Sequence, residues 1–122
     1  MSQTVTPMQV EARLISLSKE IDSAQVDLNE AEKQYFTIKA QYEIALAKSR
    51  KALAGAKNSE GKSLTATEKE DSALIENEDL HLQMASAEIL VRASRGNASR
   101  IKTQVDIARS IGSSVRSSLE LQ

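Results

Sequence analysis

The sequence predicts an all-α fold: a long antiparallel helical hairpin of the coiled-coil kind, assembling further into an oligomer. Three observations predict it. Apolar residues recur at alternating three- and four-residue steps along two extended stretches, the spacing that keeps one narrow helical stripe against a partner helix. A single proline, Pro7, and four glycines in 122 residues leave little chain for the many turns of a sheet fold. Aromatics are limited to Tyr35, Phe36 and Tyr42, which suits a thin core of Ala, Leu, Ile and Val between helices.

Residues 1–6 carry no pattern and read as a flexible N-terminal tail, and 7–122 as one helical-hairpin domain. Thr6-Pro7-Met8-Gln9 is a helix start: Thr6 caps, Pro7 suits the first helical position and Gln9 completes a capping box. The first helix then runs over about 7–54, roughly 70 Å at 1.5 Å per residue. Its seam is Val10, Leu14, Leu17, Ile21, Ala24, Leu28, Ala31, Tyr35, Ile38, Tyr42 and Ala45. A loop follows at about 55–64, where Gly55, Asn58, Ser59 and Gly61 supply turn chemistry. Thr65-Ala66-Thr67-Glu68 makes a second capping box and opens a helix over about 65–118. Its seam is Ala73, Asn77, Leu80, Met84, Ala87, Val91, Ser94, Ala98, Ile101, Val105, Ala108, then Ile111 or Gly112, Val115 and Leu119. Gly96, in Arg95-Gly96-Asn97, marks the expected bend or break, and Gly112 a place to fray.

A second apolar row, Ile75, Leu82 and Ile89, with Ile107 and Ile111 further on, widens the arc beyond one seam. Extra width calls for extra neighbours, so Leu14, Leu17, Ile21, Leu28, Ile75, Leu82 and Ile89 are the expected oligomer interface. With the bend centred near Ser59, residue i faces about 118 − i. The segment 11–43, with seven acidic and four basic residues, then lies opposite 92–116, with six basic residues and Asp106. The hairpin is electrostatically self-complementary on that register.

The formal net charge is −1, so no global basic field announces nucleic acid. Lacking cysteine, the chain has no thiol chemistry and fits a reducing cytoplasm. Neither a secretory signal nor a membrane-spanning run is present, and a soluble protein is expected. One histidine, His81, reads as a surface residue on a helix flank. Glu76, Glu78 and Asp79 lack the histidine companions of a bundle metal site. No phosphate loop of the required spacing occurs at Gly55–Lys62. An enzyme is therefore not expected, nor any catalytic residue, metal or cofactor.

Charge concentrates instead at the hairpin tip. Lys48, Arg50, Lys51, Lys57 and Lys62 against Glu60 leave a local net of +4, partly in a flexible loop that could wrap a phosphate backbone. Oligomerisation would array identical tips and strengthen a weak site by multivalency. Basic residues at a helix C-terminus also simply complement its dipole.

Lys48-Ser49-Arg50 closing a long helix, the polar loop Gly55 to Gly61, and the basic stretch Val105-Asp106-Ile107-Ala108-Arg109-Ser110-Ile111-Gly112 together resemble the UvsY family of phage recombination mediators. The plan is also similar to that of other small phage helical-hairpin proteins. Where the family has an aromatic pair after the arginine, this chain has Ala52-Leu53 (after Lys51). The resemblance implies an oligomer that binds single-stranded DNA, with Lys48 and Arg50 as contacts and Lys51 beside them. It further implies help in loading a RecA-like recombinase in place of a single-strand-binding protein. The alternative expectation is a coiled-coil adaptor or inhibitor that binds a host or phage protein without nucleic acid.

Overall fold

A computed structural model describes residues 5–121 as three helices: α1 (Pro7–Ala52), α2 (Ala66–Glu76) and α3 (Glu78–Glu120). The fold is the all-α helical hairpin, without strands among the described residues. Of the expected N-terminal tail, residues 1–4 lie outside the described residues, and Val5 and Thr6 are non-helical. Contacts divide into two compact units, one formed by Met1–Glu30 with Arg92–Gln122 and the other by Ala31–Val91.

The first capping box forms in both halves, and the second in its N-cap half. Gln9 N–H donates to Thr6 Oγ1 at 3.2 Å while Thr6 N–H donates to Gln9 Oε1 at 2.9 Å. At the second start, Glu68 N–H donates to Thr65 Oγ1 at 3.1 Å, and the Thr65 hydroxyl reaches Glu68 Oε1 at 3.2 Å. Each satisfies donors that a helix start leaves free.

In the first unit, Leu17, Ala24, Ala98, Ile101 and Ala108 make a buried cluster, with Leu14, Ile21 and Val105 packed around it. Leu17 is wholly buried. In the second, Ala31, Tyr42, Ala73, Ala87 and Val91 are buried. Every seam position from Val10 to Ala45 is buried or half-buried, and so is every one from Ala73 to Ala108. Alanine at so many of them brings backbones close and leaves a thin core.

The register departs from 118 − i. A Cβ on Gly112 would stand 3.0 Å from Val10 Cγ1, so Val10 meets Gly112 rather than Ala108. In the second unit Ser49 meets Asn77 rather than Lys69. The cause is a lopsided tip: beyond Ser49 only three residues of α1 remain, whereas all 11 residues of α2 precede Asn77. Gly112 thereby takes the seam place over Ile111, and it is a site of close approach within α3 rather than of fraying.

The second arm is interrupted at Asn77, not near Gly96. At φ −108° and ψ 26°, Asn77 leaves helical geometry. Its side-chain Nδ2 donates to the Ala73 carbonyl at 2.7 Å, competing with the backbone N–H that reaches the same oxygen at 3.2 Å. This competition is the usual reason that Asn loosens a helix. Gly96 stays helical inside α3, because an intact seam on both sides outweighs about 1 kcal/mol of propensity.

Candidate nucleic-acid interface

The tip residues belong to the Ala31–Val91 unit. Lys48, Arg50 and Lys51 are exposed on the last turns of α1, where cations favour the carbonyl end of the dipole. Lys48 and Lys51, three residues apart, share a side of the helix, and Arg50 lies about 100° round from Lys51. Ser49, between them, faces inward and is only 7% exposed, accepting a hydrogen bond from Asn77 Nδ2 at 2.8 Å. That buried polar pair anchors the root of the tip.

The loop is a built turn rather than a loose strap. Lys57 and Ser63 form an antiparallel bridge, and Asn58 N–H donates to the Lys62 carbonyl at 2.8 Å. Asn58 Oδ1 accepts from Glu60 N–H at 2.9 Å and from Lys62 N–H at 3.0 Å. Gly55 and Gly61 take φ of 79° and 78°, the left-handed region that other residues adopt only at a cost. Lys57 and Lys62 therefore sit on neighbouring rungs of one small hairpin. Lys62 approaches Glu60 at 4.0 Å, but both side chains are more than two-thirds exposed and the pair is worth little. Asn58 was legible as a turn former; its double acceptance was not.

His81 is exposed, and its ring lies against Tyr42, centroids 5.4 Å apart at 50°. The ring contact gives it a packing partner. Among the described residues, no group of three or more His, Cys, Asp or Glu is placed to hold a metal. Nor is any helix among them long and apolar enough to cross a membrane.

Comparison with family models, with curated proteins and with solved structures returns no match. The expected interface residues fall into two groups. Leu17 is buried inside the chain's own core, Leu14 and Ile21 pack on it, and Leu28 is half-buried in the same seam. Ile75, Leu82 and Ile89 are 72%, 55% and 68% exposed. At seven-residue spacing they occupy the side of the second arm turned away from the seam. Sequence reasoning grouped the two sets because both are apolar at heptad spacing; only burial separates them.

Proposed function

We propose that this protein is a non-enzymatic, self-associating helical hairpin that binds single-stranded DNA through its basic tip and assists homologous recombination as a recombinase-loading mediator. The observation that carries the reading is the exposure of Lys48, Arg50 and Lys51 on the last turns of α1 and of Lys57 and Lys62 on the hydrogen-bonded turn that follows. Contacts of this type act on phosphates and are independent of sequence. The resemblance to UvsY-like mediators supplies the biological setting, with a phage origin, a cytoplasmic location, and a RecA-like recombinase and single-strand-binding protein as partners. Exposed Ile75, Leu82 and Ile89 supply a surface on which copies associate, and multiple tips would multiply a weak affinity.

Fluorescence anisotropy of a labelled oligothymidylate at rising salt tests it. The parent should bind at low salt, with log affinity falling linearly against log salt. Lys48→Glu, Arg50→Glu and Lys51→Glu together should weaken binding at least tenfold. Absence of binding at low salt would refute the reading. The same exposed apolar row favours a second reading, a protein-binding adaptor or inhibitor, which that result would leave standing.

A further inference from the structure

Along α3, in the unit formed by Met1–Glu30 and Arg92–Gln122, cations recur every seventh residue at Arg95, Lys102, Arg109 and Arg116. Seven residues return a side chain to the same flank about 10.5 Å further on, so the row extends over about 31 Å. The adjoining helical row, Arg92, Ser99, Asp106 and Ser113, adds one cation, two hydroxyls and one acid. Leaving Arg92 and Arg95 aside, Lys102, Arg109 and Arg116 against Asp106 leave this strip at +2. Arg92 and Arg95 have partners within the chain. Lys102, Arg109 and Arg116 are exposed, and among the described residues no carboxylate comes within ion-pairing distance of them.

The facing side of α1 explains why. Arg109 and Arg116 border a shallow groove with Glu11, Leu14 and Ser113, and Arg109 borders the next groove with Ser18. Glu11 is the carboxylate on that wall, and Ser18 takes the next place along it. With Glu11 counted, Lys102, Arg109 and Arg116 keep a net of +1 over the two carboxylates. Lys102, Arg109 and Arg116 serve no helix dipole, since they lie in the interior of α3 and not in its last turn.

We propose that this flank of α3 is a second phosphate-backbone track, on which an extended nucleic-acid strand lies along the helix with Lys102, Arg109 and Arg116 as its contacts. The proposal rests on the DNA-binding reading above and adds a surface to it. A repeat of about 10.5 Å sets the three cations along one line parallel to the helix axis, on which a strand can lie. The aromatic residues Tyr35, Phe36 and Tyr42 all belong to the other unit, so the track grips backbone without stacking and is indifferent to base identity.

The test uses the full chain and labelled oligothymidylate and oligoadenylate, with circular dichroism verifying helicity. Lys102→Gln, Arg109→Gln and Arg116→Gln together should weaken binding at least tenfold for both oligonucleotides. Losing three phosphate contacts should also flatten the log–log salt slope by about 2, at roughly 0.7 per contact on single strands. Asp106→Asn, which removes the strip's carboxylate, should tighten binding two- to fivefold, a gain that damage to the fold does not produce. Parental affinity and slope in both variants, with binding lost in the Lys48/Arg50/Lys51 variant, would overturn the track and leave the tip reading intact. Loss of binding in the track variant, with the tip variant unaffected, would support the track and remove the tip as the DNA site. A parent protein that ignores oligonucleotide at low salt but binds polyglutamate would overturn both.

Discussion

Replacing Asn77 with leucine removes the one donor that reaches across the seam to buried Ser49. The Asn77 Nδ2 to Ser49 Oγ hydrogen bond is 2.8 Å long, and Ser49 is 7% exposed, so water does not readily replace the lost partner. Leaving a buried hydroxyl short of its partner costs about 1–3 kcal/mol. For a chain of this size 1 kcal/mol moves the melting temperature by about 4 °C, so Asn77→Leu should melt about 4–12 °C below the parent. Ser49→Ala combined with Asn77→Leu makes the pair apolar on both sides and should recover most of that loss, since an apolar pair of suitable shape is nearly neutral. Thermal melts of parent, both single variants and the double variant, followed by far-ultraviolet circular dichroism, form a double-mutant cycle. A coupling energy of about 1 kcal/mol or more is expected. Additive effects, with no coupling, would refute the assignment of this pair as the anchor of the register.

Two further substitutions probe the rest of the hairpin. Leu17→Ala empties the wholly buried leucine of the first unit's cluster and should cost about 2–5 kcal/mol, read as a lowered urea midpoint with an unchanged slope. Gly96→Ala should stabilise by about 1 kcal/mol, because a Cβ there meets nothing within 4 Å and the residue is helical. Gly112→Ala should gain less than Gly96→Ala or destabilise, because its Cβ would press on Val10 Cγ1; Val10→Ala in the same chain should relieve the conflict. Equal gains at the two glycines would show that the close approach at Gly112 is not real.

Period and caps were legible in the sequence because each rests on local chemistry. A seam spaced by threes and fours must be buried, and Thr6-to-Gln9 and Thr65-to-Glu68 close on themselves whatever the rest of the chain does. Register was not legible, since it depends on how many residues the tip consumes on each side, and the bridge at Lys57 and Ser63 cannot be counted from turn composition alone. Break placement failed for a related reason. Glycine propensity at Gly96 is a small local term that packing overrides, whereas Asn77 acts through a side chain competing for Ala73's carbonyl. The charge complementarity inferred from segment totals is coarse in a third way. Totals ignore which flank of a helix a residue occupies, and the seven-residue recurrence from Arg95 to Arg116 was already present in the sequence.

The double acceptance by Asn58 has an entropic consequence for any anion that lands on the tip. Because the main chain from Lys57 to Ser63 is already held by its own hydrogen bonds, ligand capture there does not have to freeze backbone torsions. Ordering a residue's backbone costs about 1–2 kcal/mol, so a preorganised turn of this length keeps that cost out of the affinity and leaves only the rotamers of the lysines to be quenched.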